Sequence, residues 1–328
     1  MSTLILDHRD MSLESLPGRL RLNLPSGKPH EVPLALLERV VIQARVTLDS
    51  SVLGMLAGAG IPVLIMSPRR MERMAIVLGK PHNDLAVRVA QIERAGDPQW
   101  CIEWSRALVL RKLRAEQRLA ARIAMKRKDL RHEVVTLQAH LDRANNAAKD
   151  AVSPAMLRGI EGAASRACFR LLAAAMPPAL QFNGRNRRPP KDPVNAILSL
   201  SFTLIHFDAV RSAYIAGLDP YVGFYHCPAF GRESLASDLI EPLRPAVEEW
   251  IWRMFADREL REDDFQRDKG ACLLGKAARS RYYGAYESWA PPLRRRLRRE
   301  CRVIARSLRE QLSMEIETNG DIRTSTLP

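Results

Sequence analysis

The chain has 328 residues, of which 46% are hydrophobic, and its formal net charge is +14. Such a composition excludes a disordered chain, and the length favours two domains. The excess of basic residues predicts a polyanionic partner, with nucleic acid favoured over an anionic membrane. No apolar run approaches the roughly 20 residues of a spanning helix, and the first residues lack the pattern of a signal peptide, so we expect no membrane association.

The cysteines give a prediction about the cellular compartment. Five are present: Cys101, Cys168, Cys227, Cys272 and Cys301. Their number is odd and no pair has C-x-x-C spacing, so neither a disulfide framework nor a zinc ribbon is indicated. We interpret them as reduced thiols in a cytoplasmic protein.

Residues 1–80 are predicted to form a small β-rich domain. Leu20, Leu22 and Leu24 alternate with polar residues, as in a half-buried strand. The runs at 40–42, 61–67 and 71–79 predict further strands, and SSVLGMLAGAG predicts a short helix that ends at a glycine. After residue 80 the sequence pattern changes from strand-like to mainly helical, and we assign residues 81–90 to a linker.

Residues 91–316 have mainly helical periodicity, and residues 317–328 are predicted to be a disordered tail. Two Xaa-Pro pairs, Ser153-Pro154 and Asp192-Pro193, have the pattern of a helix cap followed by a first-turn proline. A further helix is expected over SLASDLIEPLRPAVEEWIWRMF, with a kink at Pro242, which has no N–H to donate. The fold class is therefore α+β, with the sheets in the first part of the chain.

One stretch, YVGFYHCPAFGRESLASDLIEP, brings a histidine and two carboxylates together. Asp238 and Glu241 are three residues apart, so a helix places them on one face, and His226 stands in the loop before that helix. Glu161 is a lone acid among small and apolar residues in GIEGAA, where a carboxylate is either exposed or paired. These residues form either half of a metal site or an ordinary loop histidine with solvated acids.

Three segments carry a resemblance to a known family. GIEGAASRACF, DPVNAILSLSFTLIHFDAVRSAYIAGLDPYVGFYH and SLASDLIEPLRP resemble, in order, the signature regions of the CRISPR-associated integrases, the Cas-one (Cas1) proteins of spacer acquisition. Weaker likeness covers the whole chain. The resemblance implies a β-rich N-terminal dimerisation domain and a helical, DNA-binding catalytic domain. It also implies a divalent-metal-dependent DNA endonuclease and integrase that uses Mg²⁺ or Mn²⁺ and serves antiviral defence.

The same resemblance implies roles for individual residues. Glu161, His226 and Glu241 match the family's metal ligands, and Asp238 matches the acid that precedes the last ligand, so all four are expected to be catalytic. Asn195 and Lys112 match an asparagine and a basic position of the family. Cys227-Pro228, after the histidine, departs from the family pattern.

Several basic residues are candidates for contact with DNA phosphates, although charge runs often form only a solvated face. The candidates are Lys112, Arg185, Arg187, Arg188, Lys191, Arg244, Arg295 and Arg299. By resemblance, the expected partners are double-stranded DNA (the prespacer and the CRISPR repeat), a dimer of the small Cas-two (Cas2) protein, and a second copy of the chain in a homodimer.

Three functions remain open from the sequence. The first is insertion of short DNA fragments (spacers) into a CRISPR array by attack of a 3′-OH on a phosphodiester. The second is a stand-alone DNA endonuclease or a mobile-element integrase of the same superfamily. The third is a noncatalytic basic DNA-binding module in which the acids are structural.

Overall fold

The computed structural model describes residues 2–66, 73–80, 82, 85–186, 189–226, 229–268 and 270–324. The chain divides into two compact units. The first comprises residues 1–81, 178–207 and 254–291, and the second comprises residues 82–177, 208–253 and 292–328. The predicted boundary at residue 80 therefore lies beside the end of the first segment, but two later segments join the same unit.

All strands among the described residues lie in the first unit. In chain order they are β1 Ser2–Leu6, β2 Met11–Leu16, β3 Arg19–Asn23, β4 His30–Pro33, β5 Leu37–Ile42, β6 Val46–Leu48, β7 Val63–Met66, β8 Arg73–Val77, β9 Phe265–Asp268 and β10 Ala271–Leu274. They form one sheet of order β1-β5-β7-β8, a second of order β4-β3-β2-β6, and the hairpin of β9 and β10. The predicted strands at 40–42 and 61–67 are confirmed as β5 and β7.

The alternating pattern of β3 explains its two faces. Leu20 and Leu22 are buried, whereas Arg19 and Arg21 point to the other side and pair with Glu31 of β4. Because successive side chains of a strand face opposite sides, this alternation places the leucines in the core. The apolar core of the first unit joins these leucines to residues of β5 and β7.

The helices follow in chain order. They are α1 Ser50–Gly58, α2 Leu85–Gly96, α3 Pro98–Lys126, α4 Arg131–Lys149, α5 Pro154–Ala175, α6 Pro193–Ile215, α7 Ser234–Ile240, α8 Arg244–Ala256, α9 Lys276–Trp289 and α10 Pro291–Thr324. The predicted cap of α5 is confirmed, since the hydroxyl of Ser153 accepts a hydrogen bond from the amide of Met156 at 3.2 Å. In the second unit, α3 contacts α4, α5 and the 3₁₀ turn Glu241–Leu243.

The helix predicted over 234–255 is divided at the proline, as expected. The α-helix α7 ends at Ile240, the 3₁₀ turn Glu241–Leu243 follows, and α8 begins at Arg244. Proline has no N–H to continue the ladder of hydrogen bonds. Glu241 stands at the start of this turn, between α7 and α8.

The structure differs from the sequence predictions in three places. α2 begins at Leu85, inside the predicted linker 81–90, and β9 and β10 interrupt the region 91–316. α10 extends to Thr324, so residues 317–324 of the predicted tail are helical. The prediction of strand at 71–79 holds for Arg73–Val77, while residues 71 and 72 lie outside the described residues. Helices therefore extend into the predicted linker and into the predicted tail, and a hairpin lies within the region predicted to be helical.

One described helix, Pro193–Ile215, is long and apolar enough to cross a membrane by length and composition. Its most apolar window is 78% buried inside the protein, as expected for a helix that contributes to a core. The described cysteines, Cys101, Cys168, Cys272 and Cys301, are free thiols, in line with the expectation of reduced thiols. Cys227 lies outside the described residues.

Candidate active site

Glu161 lies on α5 and faces two hydrogen-bond donors. Its Oε1 accepts hydrogen bonds from the ammonium of Lys112 and from the hydroxyl of Ser165, the latter at 2.9 Å. Ser165 is one helical turn beyond Glu161 and therefore lies on the same face of α5. The contact of α5 with α3 brings Lys112 within reach of Glu161. Glu161, which lies among small and apolar residues in the sequence, is thus paired with Lys112 in the structure.

Lys112 is the centre of the cluster. Its side chain lies on the buried face of α3 and is only 4% exposed. The ammonium donates to Glu161 and to Oε2 of Glu241, the latter at 2.7 Å. Burial alone lowers the pKa of Lys112, but the carboxylates of Glu241 and Glu161 more than offset this effect and raise the pKa above its ordinary value. Lys112 therefore carries a full positive charge between two acids.

Glu241 is held by two cations. Its Oε1 accepts from Nε of Arg244 at 2.7 Å, and its Oε2 accepts from Lys112. Burial raises the pKa of Glu241, but the charges of Arg244 and Lys112 outweigh burial and leave the pKa well below its ordinary value. Glu241 is consequently ionised at neutral pH although it is buried.

His226 and Asp238 form a second pair. Oδ1 of Asp238 accepts from Nδ1 of His226 at 2.6 Å and from the amide of the same residue at 3.0 Å. Oδ2 accepts from the amides of Phe224 and Tyr225 at 2.9 and 3.0 Å. This arrangement assigns the proton to Nδ1 and leaves the lone pair of the imidazole on Nε2, the nitrogen that a metal ion would use. Asp238 thus orients the histidine and the loop before it.

Gly223 is required by the same loop. A Cβ at this position would lie 2.8 Å from Oδ2 of Asp238 and 2.8 Å from the carbonyl carbon of Ser234. Any side chain would therefore displace the carboxylate or the start of α7. The glycine at this position is explained by the close approach, not by a positive φ angle.

The donor set fits a divalent cation that prefers oxygen ligands. Within the described residues, no three His, Cys, Asp or Glu side chains are arranged around one point as metal ligands. Two carboxylates from different elements nevertheless meet one cation, the ammonium of Lys112. Carboxylates with one imidazole suit Mg²⁺ and, better, Mn²⁺. The roles of Glu161, His226 and Glu241 as ligands stay predictions.

The predicted DNA contacts have different environments. Lys112 is buried and ion-paired, and the partly exposed Arg244 is paired with Glu241, so both neutralise acids of the cluster. Arg187 and Arg188 lie outside the described residues. Three members of the set are exposed: Lys191, Arg295 and Arg299. The roles of these residues in DNA binding stay predictions, and the structure shows that carboxylates are the partners of Lys112 and Arg244.

The first unit contains the remaining predicted residues. Nη1 of Arg185 donates to Oδ1 of Asn195 at 2.8 Å, and its Nη2 donates to the hydroxyl of Ser199 at 3.2 Å. Asn195 is fully buried and also donates to the carbonyl of Gly184 and to Asp192. Asn195 therefore organises the loop before α6, and Arg185 is part of that hydrogen-bond network.

Glu116 and Ser165 also belong to the cluster, although neither was predicted from the sequence as a site residue. The hydroxyl of Ser165 lies 2.8 Å from Oε1 of Glu116, which is buried on α3 one turn after Lys112. Burial, only partly offset by Lys112 and Ser165, raises the pKa of Glu116 to about 7. A signal was present, because Lys112 and Glu116 fall on the same helical stripe as Leu108, Leu119 and Ile123. Ionisable groups on a buried stripe need partners.

Fold and site together define an α+β protein with a largely buried cluster of acids and bases beside an oriented histidine. The family model described as "CRISPR associated protein Cas1" matches residues 4–288. The chain belongs to the Cas1 family, and the predicted family membership and α+β fold class are both confirmed.

Curated relatives cover most of the chain. A "CRISPR-associated endonuclease Cas1 1" from Thermodesulfovibrio yellowstonii is 34% identical over 314 residues, which are 95% of this chain and 98% of the relative. "CRISPR-associated endonuclease Cas1 3" from Thermus thermophilus is 30% identical over 82% of this chain and 79% of the relative. A "CRISPR-associated exonuclease Cas4/endonuclease Cas1 fusion" from Geobacter sulfurreducens is 34% identical, and the match covers 63% of this chain and 38% of that protein.

Solved structures share the fold. A Cas1 protein from Thermotoga maritima superposes with a TM-score of 0.82 at 21% identity, over 94% of this chain and 97% of the other. A casposase bound to integration product superposes with a TM-score of 0.81 at 17% identity, over 94% of this chain and 91% of the other. A chain of a Cas6-RT-Cas1–Cas2 complex superposes with a TM-score of 0.81 at 22% identity, and the match covers 94% of this chain but 35% of that chain.

Proposed function

We propose that this Cas1-family protein is a divalent-metal-dependent DNA integrase and endonuclease that inserts short DNA fragments into a CRISPR array. The observation that carries the proposal is the convergence of Glu161 and Glu241, from two different elements, on one cation position. Family membership supports the same function, since the curated relatives are named endonucleases. Charge of +14 supports a nucleic-acid substrate.

Each residue of the cluster has a physical task in this proposal. Glu161 and Glu241 would hold Mg²⁺ or Mn²⁺ through carboxylate oxygens, together with Nε2 of His226. Such an ion, when bound, stabilises negative charge on the scissile phosphate and on the leaving oxygen. Asp238 fixes the tautomer of His226, and Arg244 keeps Glu241 ionised and oriented.

The nucleophile in this reaction comes from the substrate. In integration it is the 3′-OH of the donor DNA end, and in hydrolysis it is water, so the chain needs no nucleophilic side chain of its own. The chain's contribution is to bind and orient the phosphodiester and to supply charge, which is how most phosphoryl-transfer sites act. Arg295 and Arg299 are exposed on α10 and are candidates for contact with DNA phosphates.

The proposed partners are double-stranded DNA, a Cas2 dimer and a second copy of this chain, in the cytoplasm. The shared fold with the chain of a Cas6-RT-Cas1–Cas2 complex supports the Cas2 partner. The second candidate function is integration by a mobile element without Cas2. It is favoured by the equally close fold of a casposase bound to integration product.

An integration assay tests the proposal and separates the candidates. A labelled duplex with free 3′-OH ends is incubated with a supercoiled plasmid that carries a CRISPR repeat, with Mg²⁺, Mn²⁺ or EDTA, and with or without the Cas2 of the same locus. The proposal expects Cas2-stimulated joining with either metal and none in EDTA. Joining that is independent of Cas2 and of the repeat supports the mobile-element candidate.

Single variants complete this test. Glu161→Gln, His226→Ala and Glu241→Gln are each expected to abolish joining while duplex binding largely survives. Glu133→Gln removes an exposed acid of α4 and serves as the matched control, with unchanged joining. A chain whose joining survives the three site variants would be a basic DNA-binding module with structural acids, and the proposal would be wrong.

A further inference from the structure

The position of the Lys112 ammonium raises a question about metal binding. Its Nζ contacts Oε1 of Glu161 and Oε2 of Glu241, the two carboxylates that the proposed function assigns to the metal ion. The ammonium is almost fully buried, so it has no shell of water to compete with the two acids. The chain thus carries its own counter-ion for this acid pair.

Three of the four carboxylate oxygens of the acid pair already accept hydrogen bonds: Oε1 of Glu161 and both oxygens of Glu241. Oε1 of Glu241 is already held by Arg244, and Oε1 of Glu161 also accepts from Ser165. A divalent cation binds carboxylate oxygens at about 2.1 Å, closer than any hydrogen-bonded ammonium. Both cations cannot occupy Oε2 of Glu241 and Oε1 of Glu161 from the same side. Repulsion between a double and a single positive charge a few ångströms apart also disfavours joint occupancy.

We propose that the ammonium of Lys112 and the divalent cation exclude one another at the carboxylates of Glu161 and Glu241. This inference rests on the proposed function, because it takes those carboxylates as the metal site. The flexible four-carbon stem of lysine allows the ammonium to leave when the metal ion enters. Lys112 therefore stabilises the metal-free fold and lowers the apparent affinity for metal, since each binding event must displace it.

Lys112→Met tests the exclusion, because methionine keeps most of the stem and removes the charge. Mn²⁺ is titrated into the full chain by calorimetry, with free Mn²⁺ counted by electron paramagnetic resonance. We expect the Kd for Mn²⁺ to be lower than that of the wild type by a factor of about ten or more. Lys128→Met removes an exposed lysine outside the cluster and is expected to leave Kd unchanged. An equal or larger Kd in Lys112→Met overturns the proposal.

Thermal unfolding supplies a second measurement. In EDTA, Lys112→Met leaves the buried carboxylate of Glu241 and the partly buried carboxylate of Glu161 without their shared cation, so Tm is expected to fall by about 10 °C. Saturating Mn²⁺ is expected to raise the Tm of this variant by more than it raises that of the wild type. If Mn²⁺ raises both Tm values equally, the ammonium does not compete with the metal and the proposal is wrong.

The wild-type chain provides a test that needs no variant. Lysines are acetylated with an amine-reactive ester in EDTA or in Mn²⁺, and each site is quantified by mass spectrometry. Lys112 is expected to be protected in EDTA and to react several-fold faster in Mn²⁺, while Lys128 reacts equally in both. Equal protection of Lys112 in the two conditions contradicts displacement.

The outcomes separate this inference from the proposed function. A wild-type chain that binds no Mn²⁺ contradicts both. If Glu241→Gln abolishes Mn²⁺ binding but Lys112→Met leaves the wild-type affinity, the metal site stands and only the exclusion by Lys112 is overturned.

Discussion

Asp238 receives four hydrogen bonds from a single loop, and the shortest, at 2.6 Å, comes from Nδ1 of His226. The carboxylate thus fixes both the imidazole and the backbone of residues 224–226. Metal-ligating histidines commonly have such a carboxylate partner, which sets the tautomer and the orientation of the ring. The fully buried Asp238 is therefore best described as a positioning residue for His226.

Asp238→Asn is expected to slow DNA joining by about 10- to 100-fold. Replacement of one carboxylate oxygen by an amide nitrogen leaves two of the four donors without an acceptor, so Tm is expected to fall as well. Integration rates measure the loss of joining, and thermal unfolding measures the fall in Tm. The NMR shifts of the two ring nitrogens of His226 show whether the proton has left Nδ1. Asp150→Asn, at an exposed aspartate, is the control. Unchanged joining in Asp238→Asn would mean that the pair does not serve catalysis.

Gly223→Ala is expected to destabilise the protein by about 1 to 3 kcal/mol. The added methyl would lie 2.8 Å from both Oδ2 of Asp238 and the carbonyl carbon of Ser234, and the latter belongs to backbone that cannot easily move. Denaturant unfolding gives the stability, with Gly284→Ala as the control, since a Cβ there meets nothing within 4 Å. Equal stability of the two variants would contradict the close packing of this loop.

Glu116 is expected to make stability depend on pH. Its pKa is raised from 4.5 to about 7 in the folded state, so the unfolded chain loses this proton first as pH rises. The contribution of Glu116 to stability is therefore full below pH 4.5 and is lost between pH 4.5 and 7, by on the order of 3 kcal/mol. Its charged and polar neighbours are Lys112, Ser165, Cys168, Glu161 and Glu248.

Glu116→Gln checks this dependence, because glutamine has the shape of the acid and does not titrate. Free energies of unfolding are measured from pH 4.5 to 8 for both proteins. The stability of Glu116→Gln relative to the wild type is expected to increase across this range and to level off above pH 7. Parallel curves would show that Glu116 is ionised in the folded protein at the lower pH values.

Arg295 and Arg299 are expected to contribute to the salt dependence of DNA binding. If each neutralises one phosphate, the double change to Gln reduces the slope of log affinity against log salt by about 2. Affinities for one duplex at several salt concentrations measure the slope. Arg131 and Arg143 are exposed arginines of α4, and their double change to Gln is the control, with an unchanged slope. Equal slopes in both double variants would place the DNA elsewhere.

The sequence by itself determined the local structure and the family. Alternating leucines of β3 indicate a half-buried strand, Ser153-Pro154 indicates the start of α5, and Pro242 indicates the break between α7 and α8, because caps, prolines and periodicity act over a few residues. The motifs around Glu161, His226 and Glu241 carried the resemblance that the family comparison confirmed. None of these inferences needs a contact between distant segments.

The tertiary structure alone decided how the charged groups are partnered. Lys112 and Glu161 are 49 residues apart, and Lys112 and Glu241 are 129 apart, so no local pattern reveals their ion pairs. The sequence offered Lys112 as a candidate DNA contact, and only the packing of α3 against α5 and the turn at Glu241 shows that it is buried between two acids. Burial then sets the charge states, because a buried ion is tolerated only with a partner of opposite charge.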